Sequence, residues 1–234
     1  MLSPLQERVA RIVAGLAESD GFALAGGAAL ILRGDVDRRT RDLDFFGPDA
    51  VAVDRLVPVA QQALLDDGLR VQQVIDHPGF ARLLVGDDND QTEVDLGTDA
   101  RLFPPEELLG IRVLSGEKLA VDKLLALFGR AEARDFVDLL AVADRYGLDR
   151  LLDLAAEKDR GFDARVFAEM LTRIDRLPKA AFALDDTQFE RLQATIRAWK
   201  ELALAYARRE RGRSGDWRTP THRPDRRTGS EGPR

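Results

Sequence analysis

Asp42 and Asp44 are separated by one residue in the block Asp42-Leu43-Asp44-Phe45-Phe46-Gly47. This alternation predicts a strand that carries both carboxylates on one side and turns Leu43 toward the core. Two like charges this close repel each other, and a divalent cation between them would remove the cost. Mg²⁺ prefers oxygen ligands, uses few carboxylates and bridges them to substrate phosphates. The pair therefore predicts a magnesium site, while an exposed strand is the alternative for an Asp-x-Asp pair taken alone.

Gly26-Gly27 stands between a short apolar segment, residues 22–25, and a short helical pattern. Glycine lets the backbone approach a ligand closely, and amides at a helix start can bind an anion. We expect the two glycines to bind phosphate beside the aspartates; a tight turn with left-handed geometry is the alternative. A Walker-type loop is excluded, because the sequence contains no Gly-x-x-x-x-Gly-Lys-Ser/Thr.

A third carboxylate is expected from the alternating segment Thr92-Glu93-Val94-Asp95-Leu96-Gly97, which predicts a strand ending in the core. Glu93 and Asp95 share one face of that strand, and Val94 and Leu96 share the other. Asp95 could bind the metal or act as a base toward an incoming hydroxyl. A charged residue on a solvated strand face is the alternative.

Basic residues that could bind phosphate follow in the helical part of the sequence. Lys123 and Arg134 share roughly one face if the helix continues through Gly129, with Asp138 nearby and Arg130 one turn before Arg134. Lysine binds phosphate as a point charge, and arginine can clamp it through two hydrogen bonds. Ordinary ion pairs at helical spacing are the alternative.

The pattern along the chain predicts an α+β protein. Strands are expected at 22–25, 42–47, 69–76, 81–85 and 92–96, with helices from Ser3-Pro4 and from Pro48-Asp49. Helices dominate from Ser115 onward, with breaks near Gly129, Gly147, Gly161 and Pro178 and a last helix over 186–209. We predict an α/β core over 1–112, a helical domain over 113–210 and a disordered basic tail over 211–234.

Composition limits the chemistry to carboxylates, lysine and arginine. The 234 residues include no cysteine and two distant histidines, so thiolate zinc sites and histidine pairs are excluded. The net charge is −6, and residues 208–234 hold nine arginines against four acids, so residues 1–207 carry −11. We expect an acidic cytoplasmic protein without a membrane span, which must meet any nucleic acid locally or through its tail.

Several of these segments together resemble the AbiEii/AbiGii toxin group of nucleotidyltransferases, which includes the mycobacterial MenT toxins. The similarity spans roughly residues 20–145 and keeps the family's order. The segments are Ala25-Gly26-Gly27-Ala28-Ala29-Leu30, Arg38-Arg39-Thr40-Arg41-Asp42-Leu43-Asp44-Phe45-Phe46, Glu93-Val94-Asp95-Leu96, Lys123-Leu124-Leu125-Ala126-Leu127 with Arg130, and Ala133-Arg134-Asp135-Phe136-Val137-Asp138-Leu139. Gly27 and Thr40 stand where many members have serine.

The resemblance implies a polymerase-β-like nucleotidyltransferase core with a mixed sheet, followed by a C-terminal helical bundle. It implies an NTP substrate, two Mg²⁺ ions, a tRNA 3′ end as acceptor and a cognate antitoxin. Asp42, Asp44 and Asp95 would hold the metal, and Lys123 would contact phosphate. Gly26, Gly27, Thr40 and Arg134 would help to bind the nucleotide. Either Asp135 or Asp138 would supply a late acidic residue.

Three alternatives stay open at this point. The acceptor could be a small molecule, as it is for antibiotic nucleotidyltransferases. The fold could have lost catalysis and serve as a binding module, although Asp42, Asp44 and Asp95 are all present. The helical half could make the chain mainly an interaction protein that binds an antitoxin.

Overall fold

The computed structural model describes residues 1–214, with side chains through Arg211. A mixed sheet with three helices forms its first part, and five helices form the second. The elements of the first part are α1 (Pro4–Ala14), β1 (Ala23–Ala25), α2 (Gly26–Leu32), β2 (Asp42–Gly47), α3 (Ala50–Asp66), β3 (Arg70–His77), β4 (Phe80–Gly86), β5 (Gln91–Thr98), β6 (Glu106–Leu108) and β7 (Ile111–Val113). The helices that follow are α4 (Gly116–Gly129), α5 (Ala133–Tyr146), α6 (Leu148–Lys158), α7 (Ala164–Leu171) and α8 (Asp186–Ser214).

Seven strands form one sheet in the order β3-β4-β5-β2-β1-β7-β6. Strand β2 runs parallel to β5 and antiparallel to β1, and β1 runs parallel to β7. Antiparallel pairs extend the sheet on both sides. The sheet is mixed, as predicted, and its central strands β2 and β5 carry the predicted carboxylates.

Local sequence explains where the first helices begin. The Ser3 hydroxyl accepts a hydrogen bond from the Gln6 backbone N–H (3.2 Å), and Oε1 of Gln6 accepts one from the Ser3 backbone N–H (3.0 Å), which makes a capping box. Asp49 caps α3 by accepting from the Ala52 amide (2.8 Å). Both helix starts were predicted from the sequence.

The core is continuous through both parts of the chain. Leu43 and Phe45 of β2 are buried, and Val94 and Leu96 of β5 are fully shielded from solvent. Buried leucines of α4 belong to the same apolar cluster. Because alternate residues of a strand face opposite ways, this burial turns Asp42 and Asp44 to the other face of the sheet.

Some boundaries differ from those predicted. Strands β6 and β7 were not predicted, and the predicted division at 112/113 falls inside β7. Helix α8 continues to Ser214, beyond the predicted end at 209, so its last turn includes residues 211–214 of the predicted tail. The rest of that tail lies outside the described residues, and the division into domains stays a prediction.

Within residues 1–214, no helix has both the length and the apolar composition that a bilayer span requires.

Candidate active site

The pairing of β2 with β5 places the three predicted carboxylates side by side. Asp44 lies opposite Asp95 in this parallel pair, and Asp42 lies opposite Glu93. Asp42, Asp44 and Asp95 all line a cavity of about 480 Å³ between the sheet and the helices α4 and α5. The structure therefore brings together residues that are more than fifty positions apart in the sequence.

Gly26 allows the chain to pass directly over Asp44. Its φ of +60° is in the left-handed region, and a Cβ at this position would overlap the Asp44 Oδ2 atom. Gly27 is similarly restricted, since its Cβ would lie 2.8 Å from Nη2 of Arg38 and 3.0 Å from Oγ1 of Thr40. Both glycines line the cavity at the start of α2, and close approach, not only turn geometry, requires them.

Thr40 orients the first aspartate. Its hydroxyl donates a 2.6 Å hydrogen bond to Oδ1 of Asp42, across a spacing of two residues. The bond leaves Oδ2 of Asp42 without a hydrogen-bond partner among the described residues. Thr40 thus limits the rotation of a carboxylate that lines the cavity.

The surroundings of Asp44 disfavour its negative charge. Burial, together with the negative charges of Asp42 and Asp95, raises its pKa from 3.8 to about 7, and Lys123 and Arg134 oppose that rise. Without added positive charge, a large fraction of Asp44 would be protonated near neutral pH. A carboxylate pair in this condition is suited to a divalent cation.

Both carboxylate oxygens of Asp95 accept hydrogen bonds from an arginine. Nε and Nη2 of Arg82 donate to its two oxygens at 2.6 and 2.7 Å, and Arg82 also lies 3.2 Å from Glu93. Within residues 1–211, no group of three acidic or histidine side chains is arranged to hold a metal ion. Asp42 and Asp44 fit a divalent cation; Asp95 would have to release Arg82 to join them.

Asp138 lies behind the cavity wall and holds two of its cations. This fully buried carboxylate accepts 2.8 and 2.7 Å hydrogen bonds from Nε and Nη2 of Arg38 and lies 2.8 Å from Nζ of Lys123. Although burial opposes it, these partners lower the pKa of Asp138. Arg38 and Lys123 line the cavity, whereas Asp138 does not.

Asp135 has the same relation to another arginine. It is fully buried and accepts two 2.9 Å hydrogen bonds from Nε and Nη2 of Arg130, which lines the cavity. Arg134 lines the cavity too, and its Nε lies 3.0 Å from Glu132. Both predicted late acids are therefore placed beneath cations, and neither contacts the cavity itself.

Lys123 and Arg134 lie on two different helices. The continuous helix on which their shared face was predicted is therefore not present. Helix α4 ends at Gly129 and α5 begins at Ala133, with Ala131 at a φ of +49° between them. Lys123 belongs to α4 and Arg134 to α5, yet the turn brings both to the same cavity. The predicted break at Gly129 is confirmed.

Sequence reasoning gave no role to a second group of charges at one end of the cavity. Asp99, Asp122 and Lys158 line it there. Lys118 completes the group and is itself fully shielded from solvent. Arg82 was missed as well, although a basic residue between the buried Ala81 and Leu83 of β4 was a signal that could have pointed to it.

Comparisons with known proteins identify the family and the fold. A family model described as nucleotidyl transferase AbiEii toxin, type IV TA system, matches residues 11–218. JHP933 from Helicobacter pylori superposes with a TM-score of 0.54 at 22% identity, covering 92% of this chain and 97% of its own. A candidate nucleotidyltransferase from H. pylori gives 0.56 at 20% identity, covering 87% and 95%. No curated protein sequence matches.

The two solved structures share the fold of this chain, and the family model extends over most of its length. The chain belongs to the AbiEii toxin family and is a nucleotidyltransferase.

Proposed function

We propose that the protein transfers a nucleoside monophosphate from an NTP to the 3′ end of an RNA, with tRNA as the first candidate, in a Mg²⁺-dependent reaction. One observation carries the proposal: Asp42 and Asp44, which form no ion pair within residues 1–211, lie in the same cavity as Lys123, Arg130 and Arg134. A divalent cation bound by the two aspartates and a triphosphate bound by the three basic residues would balance the charges of the site.

Asp42 and Asp44 would hold Mg²⁺, and Asp95 would join as a ligand of a second ion or as a base once Arg82 releases it. When bound, the metal neutralises charge on the transferred phosphate and lowers the pKa of the acceptor hydroxyl. In the reaction, the acceptor hydroxyl gives its proton to Asp95 or to water, its oxygen bonds to the α-phosphorus, and the bond from that phosphorus to the pyrophosphate oxygen breaks. Thr40 holds Asp42 in place during this transfer through its 2.6 Å hydrogen bond.

Lys123, Arg130 and Arg134 would bind the triphosphate, and the amides of Gly26 and Gly27 would approach it closely. Positioning and charge stabilisation account for most of the catalysis in reactions of this class. Asp138 and Asp135 would act as positioning residues, because each holds cavity-lining cations from below. Arg38, which was not predicted as a site residue, is a further cation on the cavity wall.

The RNA acceptor rests on the resemblance to the MenT toxins. A small-molecule acceptor is the competing outcome. The experiment is to incubate the purified protein with each labelled NTP, Mg²⁺ and total RNA, and to separate RNA-bound from small-molecule label. Label in tRNA with the wild type and not with Asp44→Asn would support the proposal. Label that accumulates only in small molecules would contradict it.

We further propose that the chain acts as the toxin of a pair with a cognate antitoxin protein, in keeping with the family's description. Expression of the wild type should arrest growth, and co-expression of the protein encoded next to it should restore growth. Asp44→Asn should not arrest growth at equal expression. Arrest by both forms would show that the effect comes from binding alone, without nucleotidyl transfer.

A further inference from the structure

A second cavity, of about 1040 Å³, adjoins the candidate active site. It extends between the N-terminal residues 1–4, the loop before β2 and the start of β5. Five residues line both this cavity and the first: Arg38, Thr40, Asp42, Arg82 and Arg134. The two cavities therefore meet at the metal-binding edge of the sheet, and a molecule in either one would reach Asp42.

Arginines line this second cavity more densely than the acidic chain as a whole would suggest. Its wall contains five of them: Arg38, Arg39, Arg41, Arg82 and Arg134. Four carboxylates are also present: Asp37, Asp42, Asp90 and Glu93. One of these, Asp42, belongs to the proposed metal site, and Glu93 is paired with Arg82. The wall thus contains one more arginine than carboxylates, in a chain whose net charge is −6.

Arg39 and Arg41 differ from the other arginines of the wall. Arg38, Arg82 and Arg134 each form an ion pair with a carboxylate. Arg39 and Arg41 are exposed, and neither side chain has an ion-pair or hydrogen-bond partner within residues 1–211. Two guanidinium groups held at the edge of a cavity without a counter-charge are available for an anionic ligand.

We infer that the second cavity binds the acceptor and that it selects a nucleic-acid backbone, with Arg39 and Arg41 contacting phosphates near the reacting 3′ end. This inference rests on the proposed function and names the site through which the acceptor enters. The NTP occupies the first cavity, so the acceptor hydroxyl approaches Asp42 from the opposite side. A cationic small acceptor would be repelled by the same arginines.

The test compares wild type, the double variant Arg39→Gln/Arg41→Gln and the control Arg55→Gln/Arg197→Gln. The control removes the same charge from exposed arginines that line none of the cavities described and form no ion pair within residues 1–211. Fluorescence anisotropy with labelled, unfractionated tRNA measures binding across a range of salt concentrations. Steady-state kinetics then give KM for tRNA and for the NTP separately.

The double variant should bind tRNA on the order of tenfold more weakly at low salt, and its log–log salt slope should fall by about 1.4, the value for two single-strand phosphate contacts. KM for the NTP should stay unchanged, and the control should match wild type. Equal tRNA affinity in all three proteins would overturn the acceptor assignment alone. Absence of tRNA binding by wild type would overturn both this inference and the RNA acceptor.

Discussion

At the residue scale, close approach between Gly26 and Asp44 determines the geometry of the site. The carboxylate lies where a side chain at Gly26 would begin, so the loop and the aspartate can share this space only because residue 26 is glycine. The backbone proposed to bind phosphate and the carboxylate proposed to bind metal are thereby in van der Waals reach of each other. This proximity is the feature that makes the Gly-Gly and Asp-x-Asp segments one site.

Replacing Gly26 by alanine should abolish nucleotidyl transfer, because the methyl group must displace the Asp44 carboxylate or the loop. Gly34→Ala is the matched control: Gly34 also has a positive φ (+74°), but open space surrounds it. Both variants should lose about 1 kcal/mol of stability from the strained backbone, and Gly26→Ala should lose more because its methyl group overlaps Asp44. Only Gly26→Ala should lose activity by a factor of 100 or more. Equal activities would show that backbone strain, not contact with Asp44, explains the glycine.

The raised pKa of Asp44 predicts how the free energy of unfolding depends on pH when a chelator has removed divalent metal ions. Between its unfolded value of 3.8 and its folded value of about 7, the folded state keeps a proton that the unfolded state lacks. Asp44 therefore makes the folded state less stable as the pH rises, by up to about 1.4 kcal/mol per unit, and the loss levels off above 7. The free energy of unfolding of Asp44→Asn should lack this pH-dependent contribution.

Urea unfolding in EDTA, repeated from pH 4 to pH 8, measures that difference. The variant should become progressively more stable than wild type as the pH rises to about 7. Adding Mg²⁺ at pH 8 should stabilise wild type more than Asp44→Asn, because only the wild type has the full carboxylate pair. If the free energies of unfolding of the two proteins changed in parallel with pH, the raised pKa of Asp44 would be contradicted.

Much of this residue chemistry was predictable, for a specific reason. Asp42 and Asp44 are neighbours in the sequence, and strand alternation alone puts them on one face. The contact of Arg82 with Asp95 depends on the register of β4 against β5, where Arg82 lies opposite Asp95. No local pattern shows a register, so the occupied state of Asp95 could not be predicted.

At the element scale, the connection between α4 and α5 determines which side chains reach the cavity. The turn after Gly129 lets α5 place the buried Asp138 under Lys123 of α4 and Arg38 of the loop before β2. Arg38 and Asp138 are 100 residues apart. Helical periodicity could predict both helices and their break, but not the long-range ion pair that their packing creates.

Asp138→Asn should lower kcat/KM for the NTP by roughly 10- to 100-fold, the usual effect of removing a group that orients a ligand-binding side chain. Asp144→Asn is the matched control on the same helix, since that aspartate is exposed and 4.0 Å from Arg191. A positioning role also predicts non-additivity. Adding Asp138→Asn to Lys123→Met should cost less than Asp138→Asn costs in wild type. Full additivity would mean that Asp138 acts independently of Lys123.

The strands β6 and β7 illustrate a second limit at this scale. Each has three residues, too few to establish an alternating pattern, and β7 is held by a parallel pairing with β1 that is remote in sequence. The longer strands β2, β4 and β5 were predicted to within two residues because each has six to eight residues, enough for a strand pattern to be recognised locally. Long periodic elements are predictable locally; short ones depend on their partners.

For the whole molecule, a partly buried cluster of four charges joins the sheet to the helices at the end of the cavity. Asp99 follows β5, Lys118 and Asp122 belong to α4, and Lys158 ends α6. Lys118 contacts Asp99 and lies 2.7 Å from Asp122, while Lys158 lies 2.7 Å from Asp99 and 2.6 Å from Asp122. Two lysines and two aspartates balance, so the cluster adds no net charge beside the cavity.

Lys118→Met should therefore destabilise the protein by about 3 kcal/mol, the lower end of the range for a buried pair, because the partly exposed Asp99 and Asp122 keep Lys158 as a counter-charge. Lys179→Met serves as the control, since the Lys179–Asp186 pair lies on the surface and should change the free energy of unfolding little. Urea unfolding monitored by far-UV circular dichroism measures both variants. Because the cluster connects β5, α4 and α6, the loss should lower the midpoint of a single transition for the sheet and the helices together. A second, separate transition in Lys118→Met would instead show that this cluster is what makes the two parts unfold together.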